Sequence, residues 1–196
     1  WCSMCANDCM AIPPMSRKQN THLRGERGQA LTEQIRNVPM DRILCVSLDI
    51  GKYFHVVMIH NLLGEIVTPT FEIDIFRTGF ARLCAALDEA AAQTRAQVVW
   101  VGMEPTGHYF ENLARHLRER PQPVRLINSF AVKHNRDQQM MRHEKTDEID
   151  VAAVGDLLRR GEGTLYRPAT GIYLPLQHLD RVRVSKLKMQ TMLKNQ

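Results

Sequence analysis

The chain has 196 residues, 44% of them hydrophobic and 24% charged, with a formal net charge of +5. That is globular composition, enough for one ordinary domain and an appendage, and it excludes general disorder. No apolar run approaches the roughly 18 residues of a membrane span, and the mild positive excess permits a polyanionic partner without demanding one.

Residues 1–40 show no hydrophobic periodicity and read as a disordered or non-native tail. They contain Pro13-Pro14 and a polar basic run from Ser16 to Arg24. Cys2, Cys5 and Cys9 have a spacing compatible with metal ligation, with His22 the nearest fourth ligand. Nothing around them forms a foldable pattern, so no zinc site is expected. No apolar signal-peptide core opens the chain, so a reducing cytoplasm is the expected compartment. The first residue is Trp1 rather than Met, and Leu193-Lys-Asn-Gln196 stops inside a helical pattern. Both ends therefore read as cut, with Met40 a candidate natural start.

From Arg42 the pattern changes abruptly. Arg42-Ile-Leu-Cys-Val-Ser-Leu-Asp-Ile-Gly-Lys52 is a near-continuous apolar run of the kind found in buried central strands, and it carries one carboxylate near its end, Asp49. An acid there is costly unless something pairs with it. Asp49 is also consistent with a turn cap, or with a strand slipped in register onto a solvated face. Phe54 to Ile59, and Glu65 to Ile75, predict two further strands of an antiparallel meander, with turn chemistry at Asn61-Leu-Leu-Gly64. Arg77 to about Thr94 predicts a helix, with Phe80, Leu83, Cys84, Leu87 and Ala91 on one face. Cys45 and Cys84 read as small buried hydrophobes.

Gln97-Val-Val-Trp-Val-Gly-Met103 predicts a second apolar strand, and it too runs into a carboxylate, Glu104. A short helix follows, with Phe110, Leu113, Ala114 and Leu117 on one face and Thr106 its expected cap. Val124 to Asn128 predicts a fifth strand. Val132 to His143 is polar and basic and reads as a loop. Thr146 to Arg160 predicts a helix capped by Thr146 and ended by Gly161 and Gly163. Leu174 to Gln196 is again helical, with an incomplete stripe of Leu176, Leu179, Val182, Leu187 and Leu193 among basic residues. The order predicts a mixed α/β sheet with helices packed on it, because the fourth strand must cross over through a helix.

The acids form the candidate site. Asp49 and Glu104 end apolar strands, while Asp147 and Asp150 lie three residues apart on one helical face. Clustered carboxylates raise each other's pKa unless a cation neutralises them, and their hard oxygens suit Mg²⁺ or Mn²⁺. Two such ions roughly 3.5–4 Å apart would hold the attacking and leaving oxygens of a phosphodiester. Taken singly, Asp147 is explained as well by the helix dipole, Asp150 by solvation and Glu104 by a turn. Lys133, His134, Arg136, Arg142, His143 and Lys145 precede the paired aspartates; a basic loop there would contact phosphates. Lys52 would offset the acids or touch a phosphate. Ordinary solvated charge explains these residues equally.

The order of elements, with acids at these places, resembles the RNase H-like fold in its RuvC-like branch. Leu48-Asp-Ile-Gly-Lys52, Gly102-Met-Glu-Pro-Thr-Gly-His-Tyr109 and Lys145-Thr-Asp-Glu-Ile-Asp150 look like the N-terminal domain of DEDD transposases. These are insertion-sequence recombinases related to the Piv/MooV DNA invertases, some of them guided by a bridge RNA. The likeness covers about residues 42–168. It implies that Asp49, Glu104, Asp147 and Asp150 bind Mg²⁺ or Mn²⁺ and are catalytic, and that Lys52, Lys133, Arg136, Arg142 and Lys145 face nucleic acid. It further implies a bacterial, nucleoid-associated protein acting on DNA. Gly51 and Pro105 depart from the family's usual Ser or Ala and Ala, without removing an acid. The family's second domain carries a serine thought to attack DNA. This chain stops before it, and neither Ser129 nor Ser185 lies in a matching motif, so the chain is expected to be inactive alone. The expected domains are a tail over 1–40, a RuvC-like domain over 41–168, and the start of a linker helix over 169–196. That helix implies coiled-coil pairing between subunits. Two other readings remain: a non-catalytic nucleic-acid-binding module, and an actin-like or sugar-kinase-like ATPase. The latter needs a second phosphate-binding loop and about twice the length.

Overall fold

A computed structural model describes residues 35–139, 146–168 and 170–195. The Cys2, Cys5, Cys9 and His22 set and the tail expected over most of 1–40 lie outside the described residues, as do Arg142, His143 and Lys145.

After a short 3-10 turn at Met40–Arg42 come strands β1 (Ile43–Ile50), β2 (Phe54–Asn61) and β3 (Ile66–Asp74). Then follow helix α1 (Arg77–Thr94), β4 (Val98–Met103), α2 (Phe110–Leu117), β5 (Val124–Leu126), α3 (Ser129–Gln139), α4 (Asp147–Arg159), β6 (Thr164–Leu165) and α5 (Tyr173–Lys194). The sheet order is β3-β2-β1-β4-β5-β6. β1 pairs antiparallel with β2 and parallel with β4; β4 pairs parallel with β5, and β6 closes antiparallel on β5. This is the mixed α/β sheet with flanking helices that the sequence predicts, in the RNase H-like order of elements.

β1 is central, which explains its unbroken apolar run: both of its faces are covered. Leu44, Val46, Leu48 and Ile50 point to one face and pack with Phe80, Leu83, Leu87 and Ala90 of α1 and with Phe110, Leu113, Ala114 and Leu117 of α2. Ile43 and Cys45 point to the other face and pack with Val132 of α3 and with Ala153, Val154, Leu157 and Leu158 of α4. Cys45 is fully buried, as expected, and burial pushes its thiol up to about 12. Cys84 is only half-buried, with its sulfur 3.8 Å from His116 Nε2. Edge strand β3 contains Pro69, and its pairing with β2 shifts register between Val57 and His60.

Two expectations are corrected, and one strand is added. The segment read as a basic loop is helical over Ser129–Gln139; Val132 and Asn135 are buried, too few apolar positions for a periodic signal. Strand β6 was not foreseen, since two residues carry no pattern. Thr106 caps nothing with its side chain: α2 starts at Phe110 after Tyr109, without a side-chain cap. Thr146 does cap α4, its hydroxyl accepting the Ile149 N–H at 3.3 Å. Gly161 and Gly163 follow α4 with φ of 76° and 91°, the left-handed backbone that ends a helix.

Candidate active site

Asp49 sits one residue before the end of β1, and Glu104 follows the last residue of β4. The strands are parallel neighbours, with Leu48 opposite Met103. The Glu104 N–H donates to the Leu48 carbonyl at 3.3 Å, continuing the ladder one residue beyond β4. Alternation along each strand puts Asp49 on the face of Cys45, and Glu104 on the face of Trp100. That is the side covered by α3 and α4. Both acids are half-buried.

Helix α4 crosses this face antiparallel to β1. Its C-terminal end lies near the start of β1: Arg159 Nη1 donates to the Leu63 carbonyl at 2.8 Å, and Leu62 N–H donates to the Ile43 carbonyl at 2.9 Å. Gly155 lies against Ser47 and His60, where an added Cβ would stand 2.5 Å from His60 Nε2. Val151 packs with Val56, which is opposite Asp49 in the register. The first turn of α4, with Asp147 and Asp150, is therefore at the Asp49 end of the sheet. Asp150 is 6% exposed, whereas Asp147 is open to solvent.

Helix α3 brings a cation to the same place. Arg136 Nη1 donates to Asp150 Oδ1 at 2.5 Å. This bond above all, with the negative charges of Asp150, Asp137 and Glu104, holds the guanidinium above its usual pKa against partial desolvation. Glu104 is the smallest of these causes. Asn135 fastens α3 to α4 through Nδ2, 3.4 Å from the Ala153 carbonyl and 3.3 Å from Asp156 Oδ2.

By type, the four acids suit a hard divalent cation, since every donor is a carboxylate oxygen. Asp150 is already held by one positive group, Arg136. By spacing, however, no three His, Cys, Asp or Glu side chains among the described residues stand close enough to hold a metal ion. The structure brings the acids to one end and one face without gathering them into a cage.

Of the expected nucleic-acid contacts, Lys52 is exposed in the β1–β2 turn, its ammonium 4.9 Å from the Tyr53 ring centroid. Lys133 is exposed on α3 and Arg136 is committed to Asp150. Arg142 and Lys145 fall outside the described residues. His108 lies in the exposed loop after Glu104, its ring 4.6 Å from that of Tyr109. Sequence reasoning missed the buried pair beneath the site. Ser47 Oγ and His60 Nε2 are 3.0 Å apart, and His60 Nδ1 donates to the Asn61 carbonyl at 3.0 Å. The signal was there in outline, as a Ser and a His inside apolar strands facing a glycine in a helix.

Comparison with known proteins agrees with the motifs. No curated protein matches the chain significantly. Among solved structures, the fold is similar to Thermus thermophilus RuvC, both alone and in complex with a Holliday junction substrate. Each comparison has a TM-score of 0.41 at 11% identity, over 63% of this chain and 99% of RuvC. A ROK family transcriptional regulator, a homolog of the E. coli MLC protein, is similar at a TM-score of 0.33 and 17% identity, over 50% of this chain and 31% of that one. The sequence profile of the IS110-type DEDD transposase family, described as a transposase, matches residues 46–196. The chain belongs to the IS110-type DEDD transposase family.

Proposed function

We propose that residues 41–168 form the metal-dependent catalytic domain of a DNA recombinase, with Asp49, Glu104, Asp147 and Asp150 as the ligands of Mg²⁺ or Mn²⁺. What supports this reading is that two strand-end acids and a buried, cation-paired acid from α4 lie at one end and on one face of the sheet. Bound there, a divalent ion would supply positive charge to the oxygens of a scissile phosphodiester. The chain's own part is placement. β1 and β4 hold Asp49 and Glu104 on a hydrogen-bonded ladder, and α4 presents Asp147 and Asp150 from its first turn. Its N-terminal dipole favours that negative charge. Lys52 and Lys133, with Arg142 and Lys145, would position the DNA backbone without reading its sequence. Arg136 would join them once released from Asp150.

DNA is the proposed substrate, and a guide RNA a further partner of the same basic surface. Helix α5 is proposed as the beginning of a connecting helix through which subunits pair. Family membership favours this reading over a nucleic-acid module without chemistry. The test is excision or recombination of the element's DNA in cells expressing this chain joined to the family's serine-bearing second domain, together with its element. Asp49→Ala and Glu104→Ala are each expected to reduce it by about a hundredfold or more, as loss of a charge-stabilising catalytic group does. Wild-type frequency in either variant would remove the metal-site reading.

A further inference from the structure

Asp150 and Arg136 raise a question that the four-acid reading leaves open. Asp150, in the first turn of α4, is 6% exposed, so its carboxylate has little access to water. Arg136 reaches it from α3 with a 2.5 Å contact, and only 22% of the arginine side chain is exposed. The same guanidinium lies in the field of Glu104. A guanidinium and a divalent ion draw on the same lone pairs of a carboxylate.

We infer that Arg136 is an intramolecular counter-ion of the acid site, which competes with a divalent cation for the Asp150 carboxylate. This rests on the proposed reading of the acids as metal ligands. In the exchange Asp150 passes from a singly charged guanidinium to a doubly charged metal ion. The freed guanidinium is then a planar fork suited to a phosphate oxygen pair. Metal loading and nucleic-acid binding are thereby coupled, since a phosphate that takes Arg136 away from Asp150 removes one cation that competes with the ion for that carboxylate.

The test is Mn²⁺ binding by the full chain without nucleic acid, read from the electron paramagnetic resonance signal of free Mn²⁺. Arg136→Gln is expected to tighten binding about three- to tenfold, the effect of one competing ion pair removed. Arg77→Gln deletes the same charge from an exposed position of α1, on the opposite face of the sheet, so a change of less than about twofold is expected from it. Equal affinity in wild type and Arg136→Gln, or an equal gain in both variants, would overturn the inference. Arg136→Gln leaves a buried carboxylate without this partner and is at risk of unfolding. The wild-type chain therefore provides a second reading, the ¹⁵N resonance of the Arg136 guanidinium. It is expected to shift on saturation with Mg²⁺, and an unchanged resonance would overturn the inference. Glu104→Gln and Asp150→Asn separate the two levels. If neither weakens Mn²⁺ binding, the metal-site reading fails and the counter-ion with it. If both weaken it and Arg136→Gln changes nothing, the counter-ion role alone fails.

Discussion

His55 and His60 are buried in β2, and burial is the main cause that lowers both imidazoles below the usual 6.5. His60 is held neutral by its geometry: Nδ1 carries the proton given to the Asn61 carbonyl, leaving Nε2 to accept from the Ser47 hydroxyl. The sign of the linkage follows. As pH falls through 6.5 the unfolded chain takes up protons that the folded chain refuses, so stability present above that pH is lost below it. The slope is at most about 1.4 kcal/mol per pH unit for each histidine. Urea midpoints measured from pH 8 to pH 5 are expected to fall below pH 6.5, and His60→Gln to flatten the decline. A midpoint independent of pH across that window would contradict the buried neutral state. These histidines escaped the sequence because a His within an apolar strand carries no mark of which face it takes. Asp49 and Glu104 were legible for the opposite reason, since a carboxylate closing an apolar run has few inexpensive explanations. The burial of Asp150 was not legible, because its partner Arg136 lies on a helix that the sequence disguised as a loop.

At the scale of elements, legibility followed the apolar pattern. β1, β2 and β4 have near-continuous apolar runs, α1 and α2 have a clear helical period, and all five were placed closely. α3 was lost because polar contacts fasten it: Asn135 to Ala153 and Asp156, and Arg136 to Asp150. The seat of α4 depends on small residues. At Gly102 an added Cβ would stand 3.0 Å from a Leu158 methyl, and at Gly155 2.5 Å from His60 Nε2 and 2.7 Å from Ser47 Oγ. Gly155→Ala sets two effects against each other. Helix propensity favours alanine by about 1 kcal/mol. Overpacking opposes it by about 1–3 kcal/mol, and here the atoms in the way belong to a buried ring hydrogen-bonded at both nitrogens. The expected net is destabilisation by about 1 kcal/mol, measured by urea denaturation. A variant more stable than wild type would show that the Ser47–His60 pair yields without penalty. Because α4 also presents Asp147 and Asp150, the same substitution is expected to weaken Mn²⁺ binding.

At the scale of the molecule, the sheet domain is well packed, while α5 has no buried residue along its 22 positions. Leu176, Leu179, Leu187 and Leu193 are all exposed on it. An ion pair between Arg181 and Glu111 ties α5 to α2. No helix among the described residues is long and apolar enough to cross a membrane, so these leucines are not explained by a lipid span. Under the proposed subunit pairing, light scattering is expected to give a mass above 22.5 kDa for the wild-type chain, falling towards the monomer in Leu179→Glu. Equal masses in the two would argue against pairing through this helix. The borders of the sheet narrow the choice of contacts further. β6 is two residues long, and β3 is interrupted by Pro69, which has no N–H to give, and by the shifted pairing with β2. Neither border makes a good template for an incoming strand. Association by adding strand to strand, the route that leads from ordered oligomers to cross-β fibres, is discouraged as long as the domain stays folded.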